Sequence, residues 1–210
     1  ITYTATLNEK AAIGGTPGNT NETKLTYGNN KETEKSRTTT KTFELPVFKY
    51  TEKNTGTKTG LAGAQFVLSK DSCDSATPIK LVSIETPTGK TGDFYRVAKT
   101  DESGITEITT KDSGKFTIQG LDADTYYLHE TKQPDGYNML TAPVTVVIAK
   151  DGAITVGTDA TVVNEVEVLN KTGSLLPSTG GRGTTILYVL GALLVLGSSV
   201  VLITKRRMKE

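Results

Sequence analysis

The chain has 210 residues, with 24 Lys and Arg against 23 Asp and Glu, for a net charge of +1 at neutral pH. That near balance, with no basic patch interleaved with aromatics, argues against a nucleic-acid partner. Only 35% of the residues are hydrophobic, Trp is absent and 21 are Gly, a composition that points to a turn-rich all-β protein rather than a helical enzyme.

Residues 2–7 (TYTATL) and 23–27 (TKLTY) read as two strands around a Gly/Pro/Asn loop. Two strands do not make a stable unit. The chain also starts at Ile1 without an initiator Met or a signal peptide. We therefore expect residues 1–36 to be the closing strands of a preceding domain with a linker, and the chain to be the C-terminal part of a longer protein. The segment 28–41 (GNNKETEKSRTTTK) is polar and reads as a linker or extended connection.

A second domain is expected over 37–172. Its strands read as 43–50, 64–69, 79–84, 94–99, 115–118, 125–130, 144–149, 153–157 and 161–170, with turns at Asn54-Thr55-Gly56, Pro87-Thr88-Gly89, Ser113-Gly114, Pro134-Asp135-Gly136 and Asp151-Gly152. Short alternating strands with regular turn signals imply a β-sandwich or barrel. No segment before the C-terminal tail has helical periodicity. One cysteine, Cys73, lies in the polar stretch SKDSCDSATP, so these residues contain no pair for a disulfide within the chain.

Three strands place a polar residue on an apolar face, because side chains alternate between faces along a strand. Lys49 shares parity with Phe43, Leu45 and Val47; Glu130 with Tyr126 and Leu128; Asn170 with Val166 and Val168. Burying an unpaired charge costs several kcal/mol. Taken alone, Lys49 and Glu130 also fit a buried ion pair, and Asn170 a strand-end Asn. Asn164 has the same parity as Asn170 and is the alternative on that strand.

The tail carries three features in order. Leu176-Pro177-Ser178-Thr179-Gly180 comes first, between the glycines Gly173, Gly181 and Gly183. Nineteen residues without a charge follow, Ile186 to Thr204, and then Lys205, Arg206, Arg207 and Lys209. A helix of about 20 apolar residues spans a bilayer, and a basic cluster after it keeps the C-terminus cytoplasmic. The order resembles the cell-wall sorting signal of Gram-positive surface proteins. That resemblance implies a sortase cutting between Thr179 and Gly180 and joining Thr179 to an amine. The expected division is a signal with flexible flanks at 173–183, a transmembrane helix at 184–204 and a basic tail at 205–210, with the membrane a partner of the precursor only.

The stretches Phe48-Lys49-Tyr50, Leu61-Ala62-Gly63-Ala64-Gln65-Phe66 and Gly120 to Tyr137, which includes YYLHETKQPDGY, resemble the collagen-adhesin B-type domain of Gram-positive pilins and adhesins, with its E-box. The resemblance implies an all-β, immunoglobulin-like or prealbumin-like sandwich. It also implies an intramolecular isopeptide bond between Lys49 and Asn170, promoted by Glu130 as proton shuttle. Burial favours the neutral forms of an amine and a carboxyl, and a neutral amine is a nucleophile. By the same resemblance residues 1–36 close an immunoglobulin-like pilin domain. Asn21, which would share a face with Thr23, Leu25 and Tyr27, is that domain's candidate bond-forming Asn, with Asn19 nearly as good. The acceptor-lysine motif of backbone pilins is absent from these residues.

These features imply a structural subunit of a sortase-assembled pilus on the Gram-positive cell wall, with sortase, other pilin subunits and peptidoglycan as partners, and host matrix or glycans as a further class. The alternative is a wall-anchored adhesin that does not polymerise. An enzyme is disfavoured: the single His, His129, has parity opposite to Glu130 and is expected to face solvent, and no Ser/His/Asp set or phosphate loop is present. Asp122-Ala123-Asp124 lacks the ligand spacing of a calcium loop and reads as a turn. No metal or cofactor is expected.

Overall fold

Alternating apolar side chains from two stacked sheets build the core. The computed structural model describes residues 7, 10–13, 17–52, 56–72 and 77–172. The strands in chain order begin with β1 (Asn19–Thr23), β2 (Thr26–Tyr27), β3 (Lys31–Glu32), β4 (Ser36–Thr40), β5 (Phe43–Glu52), β6 (Lys58–Gly60), β7 (Gln65–Ser69) and β8 (Leu81–Ile84). They continue with β9 (Asp93–Val97), β10 (Ile108–Thr109), β11 (Lys115–Leu121), β12 (Thr125–Lys132), β13 (Val144–Ile148), β14 (Ile154–Val156) and β15 (Val166–Leu169). Among the described residues there is no helix, hence none long and apolar enough to cross a membrane. Residues 2–6 of the expected strand 2–7, Cys73, the sorting signal and the apolar run lie outside the described residues.

One sheet runs β10-β7-β12-β13-β14 and the other β15-β5-β11-β9-β8, with β6 also on β5. Between them Leu45, Val47, Phe66, Leu68, Phe116, Ile118, Tyr126, Leu128, Val146, Val166 and Val168 are buried. Most neighbours are antiparallel, but β15 lies parallel to β5, with Val166 opposite Val47 and Val168 opposite Lys49. The first and last strands of the sandwich are therefore adjacent. Pro46, which has no amide hydrogen to donate, sits in the half of β5 that has β11 on one side and no partner from β15 on the other.

Three expectations are corrected here. Residues 23–27 are not one strand, and 28–41 is not only a connection: β1 pairs with β4, and β2 with β3, in a ribbon. The turn between β2 and β3 uses Gly28 and Asn30, both at positive φ. Nearly every residue of the ribbon is exposed, so no hydrophobic pattern marked it, and its support comes from ion pairs such as Lys35–Glu22 and from Asn19, which bonds the backbone of Ala12. The strand expected over 161–170 is also shorter. Val163 bridges to Ile154 of the opposite sheet, the chain bends at Asn164–Glu165, and β15 starts at Val166. The bend ends the period of two, so Asn164 is exposed and does not share the inner face with Asn170.

Candidate cross-linking site

Lys49, Glu130 and Asn170 meet inside the sandwich. They are 0%, 5% and 1% exposed, so their charged or polar heads must be satisfied within the protein. The Lys49 Nζ donates to Asn170 Oδ1 and lies 3.2 Å from Glu130 Oε1. Asn170 Nδ2 donates to the same Glu130 Oε1 at 2.8 Å. The other carboxyl oxygen, Oε2, accepts the backbone N–H of Leu140 at 2.7 Å. The Phe66 ring centroid lies 5.6 Å from the Lys49 amine, with Phe116 packed on Phe66.

Each side chain is placed by its strand. Val168 pairs with Lys49, and the Asn170 N–H continues the ladder to the Tyr50 carbonyl at 3.0 Å. Glu130 sits opposite Phe66 at the end of the regular β7–β12 register, where Thr131 is the extra residue of a bulge. Bulges re-aim side chains beside functional groups. The backbone at Lys49 is gripped by Gly114: Lys49 N–H donates to the Gly114 carbonyl at 2.8 Å, and a Cβ on Gly114 would lie 2.0 Å from the Lys49 carbonyl oxygen. No larger residue fits there.

Burial pushes the Lys49 amine below its ordinary value, and the neighbouring Glu130 only partly offsets this. The arrangement thus holds an amine with a weakened hold on its proton against a carboxamide, with a carboxyl oxygen touching both. That can support acyl transfer from the amide to the amine.

The remaining expected residues are elsewhere. Asn21 is exposed on β1 opposite Thr38, away from these three, and because β1 ends at Thr23 it does not share a strand face with Leu25 and Tyr27. His129 is half-buried rather than solvent-facing: its Nε2 lies 3.0 Å from Ser69 Oγ and 3.1 Å from the Asp71 carbonyl. Ser69 Oγ itself donates to the Asp71 carbonyl at 2.6 Å, so the pair ties a turn to β12. Among the described residues no group of His, Cys, Asp and Glu could hold a metal ion. The residue missed by sequence reasoning is Leu140, which acts through its backbone and carries no side-chain signature.

A family model of a prealbumin-like fold domain, SpaA, matches residues 46–161, more than half of the chain. The chain belongs to this family. An LPXTG cell wall anchor motif matches residues 169–210, which puts this SpaA-family chain at the Gram-positive cell wall. The fimbrial subunit type 1 of Actinomyces viscosus is 38% identical over 96 residues, covering 45% of this chain and 17% of that protein. The pilus 2b backbone protein of group B streptococcus aligns at 25% identity and a TM-score of 0.45, covering 80% of this chain and 54% of that one. The full-length major pilin RrgB of Streptococcus pneumoniae aligns at 18% identity and a TM-score of 0.43, covering 69% and 32%. The chain thus spans less than a fifth of that fimbrial subunit and about half of the pilus 2b protein.

Proposed function

We propose that this chain is a structural subunit of a covalently assembled pilus on the Gram-positive cell wall, stiffened by one self-formed amide between Lys49 and Asn170. The observation that carries the reading is the joint burial of an amine, a carboxyl and a carboxamide in mutual contact between the first and last strands of the sandwich. A structural ion pair needs only Lys49 and Glu130; it gives no reason for the amine to lie on the Asn170 carboxamide.

In the proposed step the neutral Lys49 Nζ attacks Asn170 Cγ. One proton leaves the attacking nitrogen and one reaches Nδ2, both handled at Glu130 Oε1, the oxygen in contact with both nitrogens. The Cγ–Nδ2 bond breaks, the Nζ–Cγ amide remains, and Nδ2 departs as ammonia. Glu130 ends with the protons it began with. The step occurs once per molecule, so it matures the protein and is not turnover.

At the tail, the reading has a sortase cut after Thr179 and pass it to an amine of the next subunit or of cell-wall peptide. The match over 169–210 supports this. Host matrix or glycans are the class of outside ligand that fits a surface-displayed subunit.

The test is the intact mass of the full chain. It should fall about 17 Da below the sequence mass, one ammonia lost, and Lys49→Ala, Glu130→Ala and Asn170→Ala should each restore it. An unshifted wild-type mass would reduce the site to a buried pair. An immunoblot of boiled wall extract should show a high-mass ladder; a single band would favour the non-polymerising adhesin.

A further inference from the structure

We propose that the loop 134–143 is a jig for the cross-link, holding the acid and the amide strand in one setting, with Leu140 as its chief positioning residue. This rests on the Lys49–Asn170 bond proposed above.

The loop reaches both reacting partners. Its Leu140 N–H holds Glu130 Oε2, which leaves Oε1 as the oxygen in contact with the amine and the amide. An oxygen committed to a fixed backbone donor keeps the carboxyl plane from rotating. The same loop is stitched to the residues just after Asn170: Asn138 N–H donates to the Lys171 carbonyl at 3.1 Å, and Tyr137 bridges Thr172. Those are the bonds nearest Asn170 on its C-terminal side, since β15 itself ends at Leu169. Glu130 and Asn170 come from opposite sheets, and this loop is bonded to both of their strands' ends.

The loop also covers the site. Glu130 lines a cavity of about 340 Å³ walled by Met139, Leu140, Thr141, Ala142 and Pro143. The carboxyl nevertheless has no side-chain exposure, so these residues stand between it and bulk water.

The entry to the loop is a turn in which Tyr137 N–H donates to the Pro134 carbonyl, with Gly136 at φ +82°. A Cβ at Gly136 would meet nothing within 4 Å. A side chain there strains the backbone at a positive φ while its Cβ meets no neighbour, so the strain falls on the setting of the loop. Gly89, at φ +80° and equally open, lies in the turn between β8 and β9 and is a matched control.

The experiment follows cross-link formation in the full chain, synthesised in a short cell-free pulse and sampled by mass for the loss of ammonia. Leu140→Pro removes the N–H, and Leu140→Met keeps both the N–H and an apolar side chain. Leu140→Pro and Gly136→Val should form the bond at least about tenfold more slowly, given what small misplacements cost a positioned reaction. Leu140→Met and Gly89→Val should match wild type. Equal rates for Gly136→Val and Gly89→Val, or for Leu140→Pro and Leu140→Met with both folded, would overturn the inference. If Leu140→Pro does not fold, the glycine pair decides alone. A wild-type chain that never loses ammonia would overturn the bond itself, and with it the jig.

Discussion

Converting Lys49 to Met and Glu130 to Gln together removes the proposed bond while leaving no buried charge. Methionine approximates the lysine stem, and glutamine keeps an oxygen for the Leu140 N–H. Lys49 and Asn170 are 121 positions apart in sequence. By the chain-entropy relation for cross-links, closing a loop of that length lowers the entropy of the unfolded chain by about 16 cal/mol/K, or about 5 kcal/mol at room temperature. Unfolding entropy of about 2.1 cal/mol/K per residue, over about 130 residues of sandwich, is about 0.27 kcal/mol/K. The double variant should therefore melt about 18 °C below wild type. Scanning calorimetry measures the shift, and mass spectrometry on the same samples establishes that wild type is linked and the variant is not. A linked wild type that melts within about 5 °C of the variant would refute the reasoning, because the bond would then not act by restricting the unfolded chain.

Three further outcomes are expected. Asn170→Ala keeps the Lys49 amine but cannot cross-link. The folded-state amine is held below its ordinary 10.5 by burial, so the unfolded chain binds more protons between the two values. Stability of this variant, measured by denaturant titration, should rise as pH climbs toward 10.5 and be lowest where both forms are charged. Gly114→Ala should destabilise by more than about 1 kcal/mol, read as a lower denaturation midpoint, because its φ is +66° and its Cβ would strike the Lys49 carbonyl. Pro177→Ala should leave the chain in the detergent-extractable membrane fraction, whereas Ser178→Ala should still become wall-bound; equal wall attachment of both would show that the Leu-Pro-Ser-Thr-Gly run is not the element read.

Strand parity made the site legible. Lys49, Glu130 and Asn170 each stood on the apolar side of an alternating strand, and the folded sheets put those sides in one core. Parity failed at Asn164, because a strand's period holds only as long as the strand does, and the bend at 164–165 is where the chain crosses from Ile154 in one sheet to β5 in the other. It also failed at His129: opposite parity put the ring on the outer face, but Ser69 and Asp71 reach over from β7 and its turn to cover it. The ribbon of β1 to β4 was hidden because its pattern is polar on both faces. Leu140 was hidden because a backbone N–H is the same in every residue except proline.

The position of the three buried groups follows from what else holds β15. That strand has four residues, paired on one side to β5. Its inner face buries Val166 and Val168, which contribute about 1.5–3 kcal/mol each. Its outer face holds Glu167, paired with Lys58 at 2.6 Å, beside Glu165, paired with Lys115 at 2.9 Å. The two lysines also lie over the stacked rings of Tyr50 and Phe48. These pairs are partly exposed and are worth about 0–1 kcal/mol each. A short parallel strand at a sheet edge, carrying the chain onward to the anchor motif, is thus held by a few kcal/mol of reversible contact. A covalent link of about 5 kcal/mol at Asn170 would exceed any single one of those terms. Placed one residue beyond β15, it would act where the chain leaves the sandwich and fraying would begin. With a single cysteine among the 210 residues, a disulfide within the chain cannot do this work, and an amide between a lysine and an asparagine already in contact can.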